Sequence, residues 1–205
     1  MPPLLRKSNI FILIFSLGFF CPLHSAISDE EEEATEIIPV TEPIYDFTAH
    51  LSEASAVVQV EGDEVSGQWE TDHFTFEKLG ERHQVRIQEG KFKDKKKSGI
   101  YFYPVKNGSK RLIFHKVPTG SHIFVEYGID DAGVDELQET SNVFLRVWLG
   151  NHLLKRIVVS NQKGWYQESL DLGVVSFLNE PVVVCFEINS DSIQGRHFYF
   201  KSAIY

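Results

Sequence analysis

From Tyr45 onward apolar residues recur at every second position, and this period constrains the fold more than any other feature of the chain. Ile123, Val125, Tyr127 and Ile129 alternate with His122, Phe124, Glu126 and Gly128. Val143, Leu145, Val147 and Leu149 alternate in the same way with Phe144, Arg146 and Trp148. A strand sends successive side chains to opposite faces, so each run makes one inward stripe and one mixed face; a helix would need a period of about 3.6. Further strands are readable near Ala56 to Val60, His73 to Glu77, Gln84 to Gln88, Ile100 to Val105, Arg111 to Lys116, Leu153 to Val159, Tyr166 to Leu172, Val182 to Ile188 and His197 to Tyr205. The expected class is all-β, an antiparallel jelly-roll β-sandwich over residues 45–205, with helix almost absent.

Turn residues separate these runs. Asn107-Gly108, both tolerant of positive φ, predicts a type I′ hairpin between its flanking strands, and Gly150-Asn151 predicts another. Asn107-Gly108-Ser109 also reads as an N-glycosylation sequon. No repeat at a period of about 20 to 50 residues is visible, which argues against a propeller or solenoid.

Residues 1–26 carry the three parts of a secretory signal. Arg6 and Lys7 precede an apolar run from Ile10 to Phe20, and Ser25-Ala26 supplies a small-residue cut site. The run is about half of the roughly 20 residues a membrane-spanning helix needs, and no later segment is long and uncharged enough to try. The chain is therefore expected to be exported, to the periplasm or outside the cell, with no transmembrane segment after cleavage. Bulky Phe19 and Phe20 ahead of Cys21 disfavour a lipidation site.

Cleavage would leave a single cysteine, Cys185, within Val182-Val183-Val184-Cys185-Phe186, so no internal disulfide can form and a buried, inert thiol is expected. Losing Arg6 and Lys7 takes the formal charge from −9 to −11, which argues against nucleic acid as a partner. Residues 27–44 read as an acidic disordered arm, with an unbroken run from Asp29 to Glu33. The arm is either a solvated tether or an electrostatic partner for the lysines at 91, 93, 95, 96 and 97.

Motifs for catalysis are missing. There is no G-x-S-x-G, no H-E-x-x-H and no phosphate-binding G-x-x-x-x-G-K-[ST]. The seven histidines after the leader (His50, His73, His83, His115, His122, His152 and His197) are scattered, without the close pairs that zinc ligation favours. The densest acidic loop is Gly128-Ile129-Asp130-Asp131-Ala132-Gly133. Asp130 and Asp131 could contribute oxygens to a calcium ion, or the loop is acidic because it is exposed.

Several strings resemble the carbohydrate-binding modules built on the galactose-binding-like sandwich, in particular the NPCBM-type domains found beside glycosidases. Gly99-Ile100-Tyr101-Phe102-Tyr103-Pro104 resembles that family's G-I-x-x-H-P, with Tyr103 in place of histidine. Val125 to Asp131 is similar to its hydrophobic strand ending in G-x-D-D or G-x-x-D. Phe144 to Asn151 looks like its F-x-V-x-x-D-G strand and turn, and Gly164 to Leu172 resembles the W-x-x-x-x-x-D-L segment. The last two strands fit as well, although Lys201 or its neighbours stand where relatives carry an acid. The resemblance spans Gly99 to Tyr205 and, weakly, Gln68 to Gln88; it implies a noncatalytic, carbohydrate-binding-like domain.

A sugar site needs an aromatic face to cover the C–H patch of a pyranose, with polar groups for its hydroxyls. Alternation puts Trp148 with Phe144 and Arg146 on the face opposite the aliphatic stripe, making these the first candidates. Trp69, in the polar and turn-like Gly67-Gln68-Trp69-Glu70, is the second. The expected partner is a glycan; the alternative is an envelope or surface protein bound through the sandwich, with no sugar ligand.

Overall fold

The computed structural model describes residues 41–136, 142–173, 180–192 and 196–205. The leader and most of the acidic arm, residues 1–40, lie outside the described residues.

Thirteen strands are described: β1 (Tyr45–Asp46), β2 (Ser55–Val60), β3 (Asp63–Glu70), β4 (His73–Phe76), β5 (Val85–Phe92), β6 (Lys95–Phe102), β7 (Gly108–Val117), β8 (His122–Ile129), β9 (Val143–Leu149), β10 (His152–Val159), β11 (Tyr166–Asp171), β12 (Val182–Ser190) and β13 (Phe198–Ile204). One short helix, α1 (Asp131–Asp135), follows β8, and no described helix is long and apolar enough to cross a membrane. The strands form two antiparallel layers. Layer A runs β4-β5-β6-β13-β8-β11, with β1 added beside the end of β13, and layer B runs β10-β9-β12-β7-β2. The all-β antiparallel sandwich expected from the strand pattern is the architecture found.

β3 belongs to both layers: Asp63 to Ser66 pair with β2, and Gly67 to Glu70 pair with β4. At the crossing a Cβ on Gly67 would stand 2.8 Å from the Phe76 ring and 3.0 Å from Ala56 Cβ, so the corner closes only without a side chain. Residues 67–70 are therefore strand, which corrects the turn-like context expected for Trp69. The sequence hid β3 because its two halves face different neighbours and no single alternation runs through it.

The inward stripes are as expected. Ile123, Val125 and Ile129 of β8 and Val143, Leu145 and Val147 of β9 are fully buried, and Tyr127 and Leu149 nearly so. Between them lie Phe47, Phe114 and Phe186, with ring centroids 4.9 Å apart in edge-to-face contacts from Phe47 to each of the others. Each such pair adds about 0.5 to 1.5 kcal/mol beyond its area burial.

Two turns instruct. The Gly150-Asn151 hairpin joins β9 to β10 with Leu149 opposite His152, and Gly150 takes a φ of 55°. Asn107-Gly108 is not a hairpin, because β6 pairs with β5 and β13 while β7 pairs with β2 and β12. The connection crosses between layers instead. Asn107 has the expected positive φ of 52°, but Gly108 is needed because a Cβ there would run into the Gln59 carbonyl of β2.

Candidate functional site

Layer B turns one side to the core and the other outward, and the outward side chains of β9 are Phe144, Arg146 and Trp148. The registers extend each into a row across the layer. Leu153, Trp148, Cys185 and Ile113 stand side by side on β10, β9, β12 and β7. Arg156, Arg146, Glu187 and Arg111 form the next row, and Val158, Phe144 and Asn189 the third.

Glu187 organises this face. Arg146 Nη1 donates to its Oε1 at 2.8 Å and Trp148 Nε1 donates to its Oε2 at 3.0 Å. One carboxylate thus fixes both the indole and the guanidinium in the geometry of charge-assisted bonds. The pair is only partly withdrawn from water, with side-chain exposures of 24% and 17%. One strand further, Arg111 Nη2 donates to Glu64 Oε2 at 2.6 Å. Beside these groups Arg111 Nε and Asn189 Oδ1 are buried with no hydrogen-bond partner among the described residues.

The aromatic residues of the face differ in what they can offer. The Arg156 guanidinium sits 4.3 Å over the Phe144 ring, so that ring is lidded by a cation–π contact and buried. Trp148 is half-buried, with its N–H tied inward to Glu187 and its rim beside Leu153, which is 39% exposed. Burial pushes the neighbouring Cys185 thiol up to about 12, so it stays protonated and unreactive, as its apolar setting suggested.

Arg146 and Phe144 therefore share a face with Trp148, whereas Trp69 does not join them. Trp69 lies on the layer A half of β3, edge-on to Phe74 at 4.9 Å, at the rim of the core. Glu187 and Arg156 were not singled out from the sequence. Both were reachable by alternation, since Val184, Phe186 and Ile188 set the inward side of β12, but their pairing with β9 is a long-range register.

Asp130 and Asp131 do not converge. Asp130 Oδ1 caps α1 by accepting from Gly133 N at 2.7 Å, and it lies 3.3 Å from His197 Nδ1. Asp131 accepts from the backbone N–H groups of Lys93 and Asp94, at 2.9 and 3.3 Å, across the turn joining β5 to β6. Both carboxylates are thus spent on N–H donors, and among the described residues no group of three or more His, Cys, Asp or Glu is arranged to hold a metal ion.

The lysine-rich segment forms the β5–β6 hairpin. Lys91 pairs with Asp94 at 2.6 Å and Lys96 with Glu89 at 2.7 Å, both in full contact with solvent.

No protein-family model matches the chain, and no curated protein matches it. Among solved structures it is similar to CBM51 from Clostridium perfringens GH95 in complex with methyl-galactose, at 12% identity and a TM-score of 0.39, over 57% of this chain and 79% of that one. It is also similar to the tandem CBM51 modules of the family 98 glycoside hydrolase from Streptococcus pneumoniae, at 8% identity and a TM-score of 0.41, over 58% of this chain and 36% of that one. A third likeness is to carbohydrate-binding modules from the β-sandwich superfamily, at 10% identity and a TM-score of 0.41, over 78% of this chain and 59% of that one. The likeness in each case is one of fold.

Proposed function

We propose that the domain is an exported, noncatalytic binding module that takes a carbohydrate on the outer face of layer B. The observation that carries this reading is the shared carboxylate of Glu187, which pins Trp148 and Arg146 side by side. A pyranose C–H patch would lie against the Trp148 rim and Leu153, while Arg146, Arg156 and Glu187 offer donors and an acceptor to its hydroxyls. Export rests on the leader pattern of residues 1–26, and the noncatalytic reading on the missing catalytic motifs.

A second reading is favoured by one observation. Leu153, Val158 and Val183 are 39%, 54% and 37% exposed at the β10 and β12 side of layer B. Aliphatic side chains there suit a protein surface better than a sugar. A glycan array run on the wild-type protein and on Trp148→Ala, beside a thermal melt of each, separates the two. Glycan retention lost in the variant, with its fold intact, supports the sugar reading. An array without hits, or retention unchanged in the variant, refutes it.

A further inference from the structure

The outer face of layer A carries a cluster that the proposed site does not use. Register places Arg86, Tyr101, Tyr199 and Gly128 in one row across β5, β6, β13 and β8. Tyr103 and His197, one step along, are 5.8 Å apart between ring centroids. Beneath them Tyr199 is fully buried, accepting from Gln88 Nε2 at 3.1 Å and donating to Asp130 Oδ2 at 3.4 Å. Tyr101 and Tyr103 are also buried, and their hydroxyls have no hydrogen-bond partner among the described residues.

Two guanidiniums stand over those rings. Arg82 lies 5.3 Å from the Tyr103 centroid and Arg86 5.8 Å from that of Tyr101. Neither pairs with a carboxylate among the described residues. Arg86 spends Nε and Nη1 on the neutral amides of Gln88 and Gln84, at 2.8 and 3.0 Å, and its Nη2 has no partner among the described residues. Arg82, over the Tyr103 ring, makes no hydrogen bond or ion pair among the described residues. In a chain with 29 acidic and 20 basic residues, two arginines without an acidic partner among the described residues form a local excess of positive charge. The Asp130 carboxylate faces His197 at 3.3 Å and accepts from Tyr199.

The arrangement selects for a particular chemistry. A guanidinium edge matches a planar carboxylate through two parallel N–H bonds, and phenol hydroxyls add donors. Burial pushes the Tyr101 hydroxyl up to about 12, helped by Tyr103 and Asp130 and opposed by Arg86 and Arg82, so it stays protonated and can donate. The amides of Gln84 and Gln88 hold Arg86 in place, so the site is set before a ligand arrives.

We infer that Arg82, Arg86 and the hydroxyls of Tyr101 and Tyr103 form a separate binding site for a carboxylate-bearing saccharide. The oxyanion part follows from the cluster alone; the saccharide part rests on the reading of the domain as a carbohydrate-binding module.

The test is calorimetric titration of the whole protein with trigalacturonate, with neutral galactotriose and with triglutamate. Trigalacturonate should bind, weaken with added salt, and lose about tenfold or more in Arg82→Gln, where one guanidinium–carboxylate contact is removed. Arg82 is exposed, so this variant should keep the melting temperature; Arg86→Gln provides the second, with its melt recorded alongside. Binding should persist in Trp148→Ala, so that this site and the layer B face stand or fall separately. Galactotriose binding as tightly as trigalacturonate in Trp148→Ala, no binding of trigalacturonate, or affinity unchanged in both arginine variants overturns the proposal. Triglutamate binding as tightly would show a peptide acid to be the ligand and overturn the saccharide assignment.

Discussion

Lys110 lies on β7 with its side chain turned into the core, opposite Val58 of β2 and Ile188 of β12, and it is fully buried. Its Nζ donates to the carbonyls of His83 and Tyr103, each at 2.8 Å, and stands 5.4 and 5.7 Å from the ring centroids of Phe76 and Phe102. No carboxylate among the described residues pairs with it, and burial pulls the amine down to about 7. The unfolded chain would bind this proton up to about pH 10.4. Because the folded value is depressed, the native state holds fewer protons between these limits and stability rises with pH; it is lost again as pH falls through about 7. Between pH 7 and 9 the gain is about 2 kcal/mol, or about 4 to 8 °C of melting temperature for a domain of this size. Lys110→Met removes that rise, though it leaves the two carbonyls without a donor and lowers stability at every pH. Thermal melts of both proteins at half-unit pH steps measure the difference in slope, in which other titrating groups such as His197 cancel. Equal slopes in the two proteins would refute the reasoning.

Three further outcomes are expected. Glu187→Gln should cost about 1 to 2 kcal/mol in urea unfolding, because both Arg146 and Trp148 lose a charged acceptor at a partly exposed site, and a cost near zero would mean that the shared carboxylate organises nothing. Cys185, buried and held as the thiol, should react with a disulfide reagent at pH 8 only as fast as the protein unfolds, so rapid labelling of the native protein would contradict its placement. Calcium or a chelator should leave the melting temperature unchanged, since Asp130 and Asp131 already accept from N–H donors; a saturable rise of several degrees with calcium would contradict that.

Where one alternation governs a whole strand, the fold could be read directly. β8 and β9 each keep a single inward stripe, so their faces, and with them the grouping of Trp148, Arg146 and Phe144, followed from period two. β3 escaped because Asp63 to Ser66 and Gly67 to Glu70 belong to different layers. Asn107-Gly108 misled because the glycine answers to a carbonyl on β2, nearly 50 positions earlier, rather than to a turn. The string Asp130-Asp131 shows carboxylates but not the Lys93-Asp94 turn whose N–H groups Asp131 accepts. Lys110, between Ser109 and Arg111, resembles a solvated strand end; its burial depends on carbonyls of His83 and Tyr103 that only the folded chain brings near. In each case the deciding partner is remote in sequence.

With three tryptophans in the chain, the indole N–H resonances report separately on the layer B face, on Trp69 and on Trp165, whose N–H donates to Glu126 in layer A at 3.0 Å. Titrating the 15N-labelled protein with the strongest neutral glycan from the array should move the Trp148 signal and leave the other two in place. A shift confined to Trp69 or Trp165, or none at saturating glycan, would contradict the assignment of sugar binding to the outer face of layer B.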